Sequence, residues 1–268
     1  MRIVAHTCSN TEIVCALGRA DWLVGVDDHS DHPPEVVARL PRIGPDLDIA
    51  IDRIVELRPD LVITSLTIPG HERCLERIRR AGLPHLVTRP TSLADVKADI
   101  ERIGHALEAG QRARELADRF RALKPLPASA SRPKVLIEWW PKPVIVPGRR
   151  SWVNQMLAMA GAVNPFADRD AESLPVTPEE VQAAAPDAVV ISWCGVAERN
   201  YRPHKVLNRP GWEQVPAVRN RQVIAISEAL LGRPGPRLLD GIAALSRLVR
   251  GLRDGAHSGM APQPIPQV

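Results

Sequence analysis

A helix, a Pro-Asp break and a wholly apolar strand occur twice in this chain, and that repeat limits the folds open to it. The first copy runs through residues 49–57, then Arg58-Pro59-Asp60, then residues 61–65; the second runs through residues 177–184, then Ala185-Pro186-Asp187, then residues 188–193. Pro59 and Pro186 stand 127 residues apart. An amphipathic helix leading into a short, fully apolar strand is the unit of a parallel sheet covered on both faces. A weaker echo joins residues 10–18 to residues 153–161, two helix faces closed by Gly18 and Gly161. Between the copies, Pro90 and Pro125 bound a helical stretch that opens on Ser92 with Asp95 three residues on. Its apolar positions are Leu93, Val96, Ile100, Ile103, Leu107, Leu116, Phe120 and Leu123, spaced by threes and fours over most of its length. Gly104 and Gly110 each cost about 1 kcal/mol against Ala in a helix, which predicts a break near Ala109. The expected fold is α/β: two similar, Rossmann-like lobes joined by a helix. The expected boundaries are 1–107 for the first lobe, 108–124 for the linking helix and 133–252 for the second lobe. Residues 253–268, rich in Gly and Pro, read as a disordered tail.

Composition excludes several function classes. The 268 residues are 44% hydrophobic, enough for real cores, and the net charge of +4 is spread. Charges alternate in sign along residues 101–121, the pattern of a solvated face rather than a nucleic-acid stripe. No run approaches the ~20 apolar residues of a membrane span. Met1-Arg2 leads straight into an apolar strand with no signal-peptide pattern, and the four cysteines form no CxxC pair. These features predict a soluble, monomeric, cytoplasmic protein with no nucleic-acid partner. A Gly-rich phosphate loop, a nucleophile elbow and an HExxH motif are all missing from the sequence, so no catalytic residues are assigned and the chain reads as a binder rather than an enzyme.

In open parallel sheets, ligands sit beyond the carboxyl ends of the strands. In the first lobe those ends are Cys8, residues 27–32 and residues 65–67. In the second lobe they are Trp139-Trp140-Pro141, Trp193-Cys194-Gly195 and residues 227–232. Three of the six Trp fall at such ends, where they either belong to the lobe cores or cover a flat, largely apolar ligand. Cys15 and Cys74 lie on helix faces and read as small core residues. Cys8 and Cys194 end one strand in each lobe. They are expected to approach one another across the cleft, as a thiol pair able to hold a soft metal or close a disulfide, or else to be small cleft-floor residues. Arg149-Arg150 is either an anion-receiving pair or solvated surface.

Residues 7–18, Thr7-Cys8-Ser9-Asn10-Thr11-Glu12-Ile13-Val14-Cys15-Ala16-Leu17-Gly18, resemble the opening motif of class III substrate-binding proteins of ABC importers. Val24-Gly25-Val26 with Ser30-Asp31-His32-Pro33, and the run from Ile54 to Ile63, fit the next two signatures. Ser30-Asp31-His32-Pro33-Pro34 and Gly232-Arg233-Pro234-Gly235-Pro236-Arg237 bring the chain nearest the cobalamin-binding branch. The resemblance spans roughly residues 2–250 and implies two lobes on a rigid backbone helix, with a ligand cleft between them, that capture a cobalamin-like corrinoid, with haem or a ferric siderophore as weaker candidates. It places ligand contacts at His29, Ser65 and Trp139 and near Leu230, and the strand ends add Cys8, Leu66, Trp140, Trp193 and Cys194. His29, Ser65 and Leu230 stand at or near positions that are aromatic in that branch, and Tyr201, the single Tyr, counts against haem held by a tyrosinate. The resemblance also implies a permease as partner, met by one acidic residue from each lobe. Glu72 matches the first-lobe position, whereas Gly232 stands where the second acid belongs, with Glu228 four residues earlier. The missing acid and the missing leader together predict a cytoplasmic metal or corrinoid carrier, or a sensor, that does not dock productively; a corrinoid-processing enzyme is the remaining alternative.

Overall fold

The structure, a computed structural model, describes residues 1–127, 129 and 132–255. The chain divides into two compact units, residues 1–123 with 233–236 and residues 124–232 with 237–268.

In the first unit, strands β1 (Ile3–Ala5), β2 (Leu23–Val26), β3 (Leu61–Ser65) and β4 (His85–Thr88) form a parallel sheet in the order β2-β1-β3-β4. β1 is fully buried, as are Val62 and Ile63 of β3, which is why these segments read as unbroken apolar runs. Val4 and Val62 pack with Ile54, Cys74 and Ile78 from the helices Ile51–Glu56 and His71–Arg80. The stretch after Pro90 divides where the glycines predict. Ser92 caps the helix Leu93–Ala106 by accepting from the Asp95 amide at 3.1 Å; Glu108 then turns left-handed (φ 50°), and the helix Gly110–Ala122 follows. Gly104 is where the two helices touch, since a Cβ there would lie 2.3 Å from the Ala113 Cβ. The Arg19 guanidinium binds the terminal carbonyls of Leu107 (2.9 Å) and Glu108 (2.7 Å), groups a helix end leaves without partners. Both helices, including the segment expected to link the lobes, belong to this first unit.

The second unit holds β5 (Val135–Glu138), β6 (Trp140–Pro141), β7 (Val144–Pro147), β8 (Ser173–Val176), β9 (Ala188–Ile191) and β10 (Val223–Ala225). β10-β9-β5 is parallel and β6-β7-β8 antiparallel. The antiparallel sheet is the main element that sequence patterning misses. Pro141, Pro143, Pro147 and Pro175 argue against strands there. The structure tolerates them because Pro141 and Pro175 lie on edge strands, Pro143 precedes β7 and Pro147 ends it. The helix Pro178–Ala184 opens with a full capping box between Thr177 and Glu180. Residues 253–255 end the closing helix Leu238–Arg253 and its turn, and the rest of the expected tail lies outside the described residues.

The Pro-Asp repeat has a physical meaning. Arg58 and Ala185, just before the two prolines, are both left-handed, with φ of 45° and 48°. Asp60 then accepts the Arg2 amide (2.6 Å) while its own amide binds the Arg2 carbonyl (2.8 Å); Asp187 does the same with Lys134 (2.7 and 2.8 Å). Each aspartate thus pins the start of its own strand to that of the neighbour, setting the registers Ile3↔Leu61 and Val135↔Ala188. Replacing Asp60 or Asp187 with Ala should cost about 1–2 kcal/mol, the scale of a hydrogen bond to a charged group, measured by urea denaturation.

Burial pushes the Asp99 carboxyl up to about 6 against the pull of its Arg102 partner, 2.7 Å away. The native state therefore holds a proton in the window between about pH 4 and 6 that the unfolded chain has released, and this group favours folding more as pH falls. His6 acts oppositely over a similar window, because burial lowers it to about 4. The parent should accordingly gain roughly 1–2 kcal/mol over Asp99→Asn between pH 7.5 and 5, the shift converted through linkage and read from urea melts of both proteins.

Candidate functional site

The carboxyl end of the first sheet is lined with side chains that hydrogen-bond one another. His6, just past β1, has Nδ1 2.7 Å from Thr64 Oγ1 and Nε2 2.7 Å from the Asp46 carbonyl. A carbonyl only accepts, so Nε2 carries the proton and Nδ1 accepts from the threonine. Desolvation keeps this imidazole neutral at ordinary pH. Thr7 follows in a conformation unusual for a β-branched residue (φ 84°, ψ 143°), and its hydroxyl meets Ser9 (3.2 Å) and Ser65 (3.1 Å). Ser65 also meets Thr88 (2.7 Å) and accepts from the Asn10 amide (3.0 Å). Ser65 is fully buried, so its hydroxyl serves this network.

Residues 27–31 are fixed from several sides. Asp27 is buried, accepts from the Ser30 hydroxyl and from the His29 amide (3.1 Å), and burial pushes its carboxyl up. The Arg42 guanidinium binds the Asp27 and Ser30 carbonyls at 2.9 and 2.7 Å. Arg233, from the returning segment 233–236, donates to Asp31 (3.2 Å) and lies 3.4 Å from Glu12. His29 keeps a half-exposed imidazole, and its carbonyl accepts from the Cys8 thiol at 3.1 Å. Asp46 stands in the midst: its carbonyl takes His6 and the Cys74 thiol (3.3 Å), and its carboxylate oxygens lie 3.6 Å from His29 Nε2 and from His71 Nε2. The His71 imidazole, fully buried, holds the Asp46 carboxyl below the usual range. Leu66 and Thr67 are partly exposed at the end of β3, and Leu47 and Ile68 are exposed.

The second unit is organised on one buried ion pair. Glu138, at the end of β5 and fully buried, takes both guanidinium nitrogens of Arg209 (2.6 and 2.9 Å) and the Trp193 indole N–H (2.9 Å). Arg209 stacks 4.3 Å over the Trp212 ring. Trp193 is 5% exposed and packs edge-on against Tyr201 at 5.7 Å. Tyr201 donates its hydroxyl to the Trp193 carbonyl (3.1 Å) and accepts the Glu228 amide (3.1 Å); burial pushes its phenol well above the usual range. Trp139 is 9% exposed and Leu230 8%, while Trp140 is 43% exposed and Cys194 is exposed. Cys8 is half-buried, and neither Cys8 nor Cys194 is part of a disulfide. Glu72 is exposed at the start of its helix and accepts the Gly70 amide at 3.0 Å.

Sequence reasoning named Cys8, His29 and Ser65 here but not His6, Asp46 and His71, which the fold brings to them. Asp46 lies in a loop with no periodic pattern, and the two histidines are scattered through the sequence. Among the described residues, no group of three or more His, Cys, Asp or Glu could hold a metal ion.

The match to the periplasmic binding protein family covers residues 3–230. The chain belongs to that family. Its relatives include an uncharacterized ABC transporter substrate-binding lipoprotein of Bacillus subtilis, 29% identical and covering 92% of this chain and 79% of the relative. The vitamin B12-binding protein of Vibrio cholerae is also 29% identical, over 90% of this chain and 86% of that protein. Among solved structures, the periplasmic heme-binding protein of Roseiflexus in its apo form is similar at a TM-score of 0.77 and 33% identity, covering 95% and 98% of the two chains. The two α/β units with parallel sheets are those of this family, and its members here are binding proteins, not enzymes. The expectation of a cytoplasmic carrier is corrected by these findings. The relatives are named as a lipoprotein and as periplasmic proteins, and where the given sequence begins carries no weight against them. No helix among the described residues is long and apolar enough to cross a membrane.

Replacing Glu138 with Gln should cost about 3–5 kcal/mol, because it leaves Arg209, mostly buried, without its counter-charge. Loss of stability in urea, with altered Trp fluorescence in the native state, checks this.

Proposed function

We propose that this protein captures a corrinoid, cobalamin-like in class, outside the cytoplasm and hands it to an ABC permease. The observation that carries the choice of ligand is Tyr201. It is the single Tyr of the chain, and its hydroxyl is committed to Trp193 and Glu228. Ferric haem held through a tyrosinate needs an ionised phenol with a free coordination face, and burial opposes that ionisation here. The relation to vitamin B12-binding proteins supports the same reading.

Within each unit, the candidate residues differ in exposure. His29, Leu66, Trp140 and Cys194 offer surface that a flat macrocycle can cover. Ser65, Trp139, Trp193 and Leu230 are buried, and Cys8 is half-buried with its thiol on the His29 carbonyl. Glu72 is the candidate contact to the permease in the first unit. In the second, Gly232 offers no charge and Glu228 is the nearest acid in sequence.

Titration of the purified protein with cyanocobalamin, hemin and a ferric hydroxamate, followed by Trp fluorescence, tests the reading. Cyanocobalamin should bind at micromolar or tighter affinity, and Trp140→Ala should weaken it about tenfold, some 1.4 kcal/mol. Tighter binding of hemin or the hydroxamate would replace the corrinoid reading, and binding of none of the three would end it.

A further inference from the structure

We propose that His29 supplies an axial nitrogen, from Nδ1, to the metal of the bound chelate, with Asp46 as the positioning residue behind it. This rests on the chelate-binding reading above. The His29 backbone is fixed at both ends. Its amide donates to Asp27 at 3.1 Å and its carbonyl accepts from Cys8 at 3.1 Å. The imidazole stands at the carboxyl end of the parallel sheet, just past β2, and its side chain is 48% exposed.

Nε2 of that ring lies 3.6 Å from Asp46 Oδ1. A carboxylate beside one imidazole nitrogen draws the proton to that nitrogen. The lone pair is then left on the other, the arrangement that prepares a histidine to bind metal. Asp46 is suited to this task because it is immobilised. Its carbonyl holds His6 (2.7 Å) and Cys74 (3.3 Å), and its second carboxylate oxygen faces His71 at 3.6 Å. The other histidines of the cluster cannot play the part. Both nitrogens of His6 are engaged, and His71 is fully buried with Nδ1 3.4 Å from the Thr67 amide.

A lone imidazole does not retain a bare ion, and among the described residues no group of three donors could. One donor is enough for a metal whose equatorial positions a macrocycle already fills. The geometry thus suits a chelate whose axial site is open or held by a displaceable group, such as a corrinoid's nucleotide base, and disfavours a siderophore that occupies all positions of its iron.

Cob(II)inamide, a corrinoid without its own nucleotide base, is the probe. Bound to the parent protein, it should show nitrogen superhyperfine splitting on its Co(II) electron paramagnetic resonance signal. His29→Ala should retain cobinamide about tenfold more weakly and lose the splitting. Asp46→Asn should keep the splitting and lose affinity by roughly 10-fold, the lower end of the range for partners behind a metal ligand. Circular dichroism should confirm that both variants fold. Retention by the parent without nitrogen splitting, or splitting that survives in His29→Ala, overturns the assignment and leaves the chelate reading standing. No retention of cobinamide, cyanocobalamin or hemin by the parent overturns both.

Discussion

The paired hydrogen bonds between Asp60 and Arg2, and between Asp187 and Lys134, are the constraint on which both units are built. A parallel strand pair has no hairpin to set its register, so something else must define where the strands begin. In each unit an aspartate after a left-handed residue and a proline does so, exchanging amide and carbonyl bonds with the residue that precedes the first strand. With the starting ends fixed, the carboxyl ends fall at defined heights. Ala5 opposite Ile63 brings His6 to Thr64, and Glu138 opposite Ile191 brings its carboxylate to Trp193.

The two units then satisfy those carboxyl ends by different chemistry. Around β1, β3 and β4 the first uses neutral groups: hydroxyls of Thr7, Ser9, Ser65 and Thr88, the Asn10 amide and an uncharged His6. The second buries a charge and neutralises it with Arg209, which also stacks on Trp212. A buried pair contributes less to stability than its Coulomb energy suggests, because both ions lose water. Its effect here is positional, since Glu138 fixes the Trp193 indole and through it the Tyr201 hydroxyl. The same Trp193 that the strand-end position marks for ligand contact is thereby held in the core of its unit, while Trp140 next to Trp139 is the ring left at the surface.

Much of the architecture was legible because it rests on local rules. The β1 and β9 runs are apolar throughout and β3 is apolar up to Thr64, the cap at Ser92 carries its partner three residues on, and the glycines at 104 and 110 mark the break between the two helices. The motif run from Thr7 to Gly18 carried the family, which the match over residues 3–230 establishes. Location was not legible in the same way: the first residues of a chain do not say where the protein works, and the expected cytoplasmic role gave way to the extracytoplasmic character of the relatives.

By itself the sequence determined the parallel strands, the helices that cover them, the repeat and the family, because periodicity, caps and turn residues act over a few positions. It also named His29, Cys8 and Ser65 as strand-end residues. Only the tertiary structure decided that His6, Asp46 and His71 converge on them, since these come from a strand end, a loop and a helix 40 and 25 residues apart. It alone decided that the prolines at 141, 147 and 175 lie within an antiparallel sheet, because only its pairing reveals which strands are edges. And it decided which tryptophans are buried, a property set by partners such as Glu138 that lie 55 residues away along the chain.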